Sequence, residues 1–277
     1  FSPSAWIAFA VCTVIWGSTW LVIKTQLGTV PPSWSVAWRF LIAGSVMMAA
    51  CLLTGRSLRL GPRQHLFALA VAVMQFVLNF NLVYRSEQYL TSGLVSLTFA
   101  LLLVPNSLLA ALFLGQRVTA RFLVGAAVGI AGVGLLFGHD LAAPGADAPA
   151  MLTGLALAFG GVFSASVANV MQASPAGRAM PLEAGIAWAM LYGGVIDSAL
   201  AWGISGAPQF DASAGYVAGV AWLGIAASAV AFQLYYRLIR EVGAGPAAYN
   251  GVVVPVVAMA LSTVFEGYVW TPMAVLG

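Results

Sequence analysis

The chain has 277 residues, of which 61% are hydrophobic and only 7% charged, with a net charge of +3. A water-soluble domain carries roughly a quarter charged residues. This composition therefore excludes a protein bathed in water on all sides, and lipid must be its solvent. Mean hydropathy is +0.96. The sequence pI of 9.1 invites a nucleic-acid reading. Most arginines, however, lie in short loops, where membrane orientation accounts for them. The apolar runs are about 20 residues long rather than ten-residue alternations, so helices are expected and not a barrel.

In chain order the expected spans are 4–23, 34–53, 66–84, 92–114, 120–137, 151–172, 182–203, 214–239 and 246–265. A tenth span begins at Thr271 and is cut short by the end of the sequence. The chain opens on Phe1 rather than Met, so a preceding stretch is expected, and the first apolar run is too long for a cleaved signal. Arg56, Arg59, Arg63, Arg117, Arg121, Arg178, Arg237 and Arg240 fall on one side, eight of the eleven basic residues. That side is expected to be cytoplasmic, and the N-terminus with it. Lys24, Arg39 and Arg85 count with the other side.

The stretch Phe80–Arg85, F-N-L-V-Y-R, returns 152 positions later as F-Q-L-Y-Y-R, Phe232–Arg237. The same offset carries Gly93 onto Gly245, and an offset of 150 carries Pro105 onto Pro255 and Gln116 onto Glu266. Trp38, Leu41 and Gly44 match Trp188, Leu191 and Gly194 at 150, while the first and sixth spans share little. Five spans per copy is an odd number, so the second copy enters the membrane from the opposite face. The expected fold is an all-α membrane protein of ten transmembrane helices, the tenth truncated, in two inverted five-helix repeats. Residues 1–138 form the first repeat, 139–150 an external linker, and 151–277 the second. Inverted repeats are the architecture of alternating-access carriers.

Gln75 and Asn79 stand four apart on one helix face. Amides inside a span are costly unless they bond between helices or line a wet cavity, and both readings fit. Gln233, the mate of Asn81, adds a polar group from the second copy. Trp16, Phe99, Trp188, Tyr192 and Tyr249 lie within spans and could supply aromatic contact to a flat, amphipathic solute. Pro105 and Pro255 each remove a helical hydrogen bond, either as static kinks or as hinges. Tyr84-Arg85 and Tyr236-Arg237 sit at opposite mouths and are gate candidates. Asp197 is the one acid well inside a span and is expected to reach the interface, which gives strict proton coupling little support.

Enzyme chemistry is not expected. Gly203-Ile204-Ser205-Gly206 matches an intramembrane serine protease motif, but His65 and His139 lie near loops of earlier spans. Cys12 and Cys51 are packing residues, no metal spacing is present, and no cofactor is expected. The expected partners are a small-molecule substrate and membrane lipid; the sequence does not give an oligomeric state.

Taken together, the residues resemble EamA-type carriers of the drug/metabolite transporter superfamily. The resemblance rests on Trp16-Gly17-Ser18 with Lys24, Arg39-Phe40, the approach from Tyr89 to Gly93, and Pro105 with L-F-L-G-Q ending at Gln116. Ala226 to Tyr236, Gly243 to Tyr249, Pro255 and Glu266 carry it through the second half. Gln116 departs from it, since the family usually has Glu there. Within the family the chain is similar to the bacterial aromatic-amino-acid exporter type. The resemblance implies ten helices, a central cavity, a bacterial inner-membrane location, and export of aromatic or large neutral amino acids. Drugs, purines or other small metabolites are the alternative cargo.

Overall fold

The computed structural model describes residues 2–141 and 147–265. The long helices among them are α1 (Pro3–Gln26), α2 (Pro32–Leu53), α3 (Pro62–Ser86), α4 (Ser92–Leu114), α5 (Ala120–Leu141), α6 (Ala148–Ala173), α7 (Leu182–Ser205), α8 (Ala214–Val242) and α9 (Ala244–Phe265). All but α5 are long and apolar enough to cross a membrane, and α5 contains a shorter apolar stretch, Phe122–Leu135. The expected tenth span, with Glu266, Tyr268, Trp270 and Thr271, lies outside the described residues, as do 142–146 of the linker.

Local chemistry sets the helix starts. Pro3, Pro32 and Pro62 open their helices at positions where the missing N–H costs nothing. Ser2, Asp147 and Ser213 accept hydrogen bonds from the first turns of α1, α6 and α8. Lys24 donates from the end of α1 to the carbonyls of Glu87 and Leu90, at 2.6 and 3.2 Å, and so places a cation at the C-terminus of α3.

The bundle is polar within and apolar without. Leu53, Leu112, Phe113 and Val264 project outward, while Gln26, Arg39, Gln75, Asn79, Asn169 and Asn250 are buried. In water this distribution would be reversed, and in hydrocarbon it is the stable one. The molecule is a multi-span membrane protein.

Positions related by the sequence offsets pack against each other antiparallel. A Cβ on Gly44 of α2 would lie 2.8 Å from the backbone N of Leu191 on α7. The mate, Gly194, meets the backbone N of Leu41 at 2.7 Å. Likewise Gly93 of α4 abuts Met259 of α9, and Gly245 of α9 abuts Ser107 of α4. Such reciprocity, where i meets j′ and i′ meets j, marks a local two-fold axis. Phe99 and Gly251, themselves offset mates, touch each other and so lie on that axis.

The two-fold extends to an irregularity that the periodicity does not reveal. Residues Ala72–Leu78 of α3 and Trp222–Val230 of α8 are wound as π-helix. The two segments occupy matching positions at the 152 offset. π-Turns are rare and leave carbonyls that need other donors. Trp16 Nε1 supplies Ala227 O at 3.0 Å, and Ser164 Oγ supplies Met74 O at 2.6 Å.

Both ends of the bundle are clamped. Arg237 bonds Glu183 at 2.6 Å, with Arg56 as a second partner of the same carboxylate. Arg240 donates to Gly177 O and Arg178 to Ala173 O at the same end. At the other end Arg85 reaches Ser33 Oγ at 3.5 Å. Ser33 and Glu183 are mates at the 150 offset, so one geometry is built once from a hydroxyl and once from a carboxylate.

Two charge placements differ from the sequence reading. Arg39 is 1% exposed and sits within the bundle instead of at an end. Asp197 is fully buried and accepts from Asn81 Nδ2 at 2.7 Å, so it does not reach the interface. The α3–α7 contact encloses both partners, which a single-helix view cannot show. Replacing Asn81 by leucine strands the carboxylate without that donor. Leaving a buried acceptor without its donor costs about 1–3 kcal/mol. Thermal unfolding in detergent is expected several degrees below the parent, and an unchanged midpoint would refute a stabilising role.

Candidate functional site

A cavity of about 90 Å³ lies at the seam between the two sets of helices. Seven helices line it. α1 contributes Trp16, Thr19, Trp20 and Ile23, α2 contributes Arg39, and α3 contributes Gln75, Asn79, Phe80 and Val83. Phe99 and Leu102 come from α4, Ala165 and Asn169 from α6, Phe232 and Tyr235 from α8, and Asn250, Gly251 and Val254 from α9. The two-fold is visible here as well, because Phe80/Phe232 and Val83/Tyr235 are offset mates.

The aromatic wall is continuous. Trp16 meets Phe232 and Tyr235 edge-on at 5.2 and 4.8 Å, and Trp20 lies 5.1 Å from Phe99. Arg39 is held from two directions. Its Nε donates to Ser228 Oγ at 2.9 Å, and its guanidinium carbon lies 4.3 Å from the centre of the Phe80 ring. Ser228 passes its own proton to Leu223 O within the α8 π-segment, at 2.8 Å. Asn250 donates to Phe9 O and Thr13 Oγ1 at 2.9 and 2.8 Å, which ties α9 to α1.

Among the residues expected to bind solute, the structure brings Trp16, Gln75, Asn79 and Phe99 together in this cavity. The other four lie elsewhere. Trp188 donates to Leu58 O at 2.9 Å, and Tyr192 bonds His65 Nδ1 at 2.8 Å. These three rings cluster beside the α2–α3 loop, with His65 edge-on to Trp188, because α7 packs on α2 and α3 and contributes nothing to the cavity wall. Gln233 shares the azimuth of its mate Asn81, which faces away toward Asp197, so the cavity-facing pair on α8 is Phe232 and Tyr235. Tyr249 falls in the turn between the two helical pieces of α9 and is half exposed, while its neighbour Asn250 turns inward.

Sequence reasoning missed Arg39, Asn169 and Asn250 as cavity residues. A charged or amide residue near the middle of an apolar run was the available signal. Of the gate candidates, Tyr84 and Tyr236 are fully buried and the two arginines occupy opposite ends. Pro105 follows a break in α4 at Leu101–Leu102, as its missing N–H and its clash with the preceding turn require. Pro255 lies inside a continuous helix, and the break in α9 comes six residues earlier, at Ala248–Tyr249. Trp34 is buried and donates to Gly206 O, while Trp202 is exposed. Ser205 ends α7, and His65 is engaged with Tyr192, thirteen residues and about 20 Å away along that helix.

Comparison with known proteins places this geometry in context. The family described as the EamA-like transporter family matches residues 4–138. Over 260 residues the chain is 31% identical to the uncharacterized inner membrane transporter YedA of Escherichia coli strain K12, covering 92% of this chain and 80% of YedA. It is also 28% identical to Protein PagO of Salmonella typhimurium over 124 residues, which spans only 41% of PagO. A crystal structure of a protein with 22% sequence identity superimposes with a TM-score of 0.75, covering 99% of this chain and 92% of the other. That last likeness shows a shared fold. With eight helices among the described residues long and apolar enough to cross a membrane, a seam cavity and a YedA match over 92% of its length, this chain belongs to the EamA-like transporter family.

Proposed function

We propose that the protein exports small amphipathic metabolites, foremost aromatic and other large neutral amino acids, across a bacterial inner membrane by alternating access. The observation that carries this reading is the seam cavity. Its aromatic and aliphatic wall suits a flat apolar body, and its amides and single guanidinium suit a polar head. Residues 1–138 and 151–277 act as the two moving halves, with the arginine-rich end cytoplasmic. Pro105 and Pro255 serve as flexible points, and the Arg85 and Arg237 clamps open in turn. No chemical step on the solute is part of this reading.

Counterflow in proteoliposomes tests the proposal, using a panel of labelled amino acids with and without a proton gradient. Saturable counterflow of a large neutral amino acid is expected. Gln75→Ala and Asn79→Ala are expected to lower it about tenfold each, the size of a lost buried hydrogen bond, without changing the amount of inserted protein. Linear, unsaturable flux would point to a pore, and wild-type flux in both variants would remove these amides from the site.

A further inference from the structure

The cavity gathers unsatisfied polar atoms in a chemically lopsided way. Among the described residues, Gln75 Oε1, Asn79 Oδ1, Asn169 Oδ1 and Asn250 Oδ1 are buried oxygens with no partner. Beside them, Arg39 Nη1 is a buried cationic donor with no partner. Native proteins leave few such atoms, because each costs its full desolvation. The Asn250 oxygen is assigned without ambiguity. Its amide nitrogen is held by the backbone carbonyl of Phe9, which can only accept, so the free atom must be the acceptor. The free atoms thus divide into acceptor oxygens on α3, α6 and α9 and donors on three other helices, Arg39 Nη1 on α2, Trp20 Nε1 on α1 and the Tyr235 hydroxyl on α8, of which Arg39 alone carries a charge.

Structural duty does not use up Arg39. Ser228 occupies Nε, and the ring of Phe80 takes one face of the guanidinium. The Tyr84 hydroxyl and the Glu87 carboxylate are close enough to act on its charge. Nη1 nevertheless has no partner, and Arg39 lines the cavity. A guanidinium presents donors in a planar fork that fits a carboxylate, and it stays charged in a low-dielectric site. Its offset mate is Ala189, so this feature breaks the two-fold and belongs to one site only.

Resting on the transport reading above, we propose that the cavity is a zwitterion receptor. Arg39 holds the substrate's α-carboxylate, the oxygens of Gln75, Asn79, Asn169 and Asn250 take its ammonium group, and the Trp16, Trp20 and Phe99 wall takes the side chain. A cationic amphiphile would meet the guanidinium with like charge. A phosphate ester would meet four acceptor oxygens with one cation. The site therefore selects amino acids over both.

The test is calorimetric titration of the purified wild-type protein with L-phenylalanine, phenethylamine, which lacks the carboxylate, and 3-phenylpropionate, which lacks the ammonium. Each analogue is expected to bind about 10–100-fold more weakly, the range for a lost charge-assisted bond. Arg39→Met is expected to abolish the preference for phenylalanine over phenethylamine, and Arg39→Lys to keep part of it. Phenethylamine binding as tightly as phenylalanine to the wild type would overturn the zwitterion site while leaving transport intact. This comparison needs no variant to fold. Absence of binding by every neutral amino acid of the counterflow panel would overturn both readings.

Discussion

Gly44→Leu is expected to remove most of the folded, monodisperse protein from detergent extracts, and Gly194→Leu to do so equally. Each glycine lies against the opposite helix's backbone, at 2.8 Å to Leu191 N and 2.7 Å to Leu41 N from an ideal Cβ. A clash with a flexible side chain can be relieved by a rotamer change, whereas a clash with backbone requires a helix to move. Lipid removes the hydrophobic drive between helices, so close backbone approach through small residues is what holds α2 to α7. Overpacking a single core site costs about 1–3 kcal/mol, and here a whole leucine side chain must enter the tightest seam. We expect at least a tenfold drop in the monodisperse peak by size-exclusion chromatography. Gly203→Leu, where nothing lies within 4 Å of the Cβ, is the control and is expected to behave as the parent. Matching the parent's unfolding temperature in Gly44→Leu would show that the seam is not what organises the bundle.

Glu183→Gln is expected to bias the protein toward opening at the Arg237 end. That end is held by one carboxylate shared between Arg237 and Arg56, and the glutamine leaves two cations facing each other. At the opposite end Arg85 makes a 3.5 Å contact to the Ser33 hydroxyl and has no carboxylate partner among the described residues. Exposed ion pairs are worth roughly 0.2–1 kcal/mol each. Two of them with the added repulsion amount to about 1–2 kcal/mol, or roughly a 5–30-fold change in the ratio of the two states. Ser33→Glu should act in the same direction, since it gives Arg85 the partner that Arg237 already has. Maleimide labelling of Val83→Cys, a buried cavity position, reads the effect from each face of sealed vesicles. Both substitutions should raise labelling from the Arg237 side and lower it from the Arg85 side. Cys12 and Cys51 are buried, so the parent supplies the background. Equal labelling from both faces in parent and variants would rule out the clamps as gates.

Much of the architecture was legible in the residue order. The expected span 92–114 is α4 to the residue, and 182–203 falls two short of α7, because apolar run length and Pro or Gly punctuation both lie along the chain. The offset matches picked out positions that meet in space, since Leu41, Gly44, Leu191 and Gly194 form one reciprocal contact, although the matches alone did not say which helices would pack together. Half of the proposed binding residues, Trp16, Gln75, Asn79 and Phe99, share the cavity. Gln233, Trp188, Tyr192 and Tyr249 do not. Trp188 and Tyr192 belong to α7, which contributes nothing to the cavity wall, and on α8 the cavity-facing residues are Phe232 and Tyr235 instead of Gln233. Tyr249 is turned out by a helix break one residue before Asn250 turns in.

Composition and apolar run length decided that this chain lives in lipid as spanning helices, and the duplicated motifs related one half of the chain to the other. Both are properties read along one dimension, because solvent preference and helix length are sums over consecutive residues. Only the tertiary structure decided that Arg39 lies inside, that Asp197 belongs to Asn81, and that four amide oxygens and a guanidinium share one cavity. Those facts depend on rotation about each helix axis and on distances between segments far apart in sequence. A charge counted at a helix end and a charge buried at a seam look alike until the neighbours are in place.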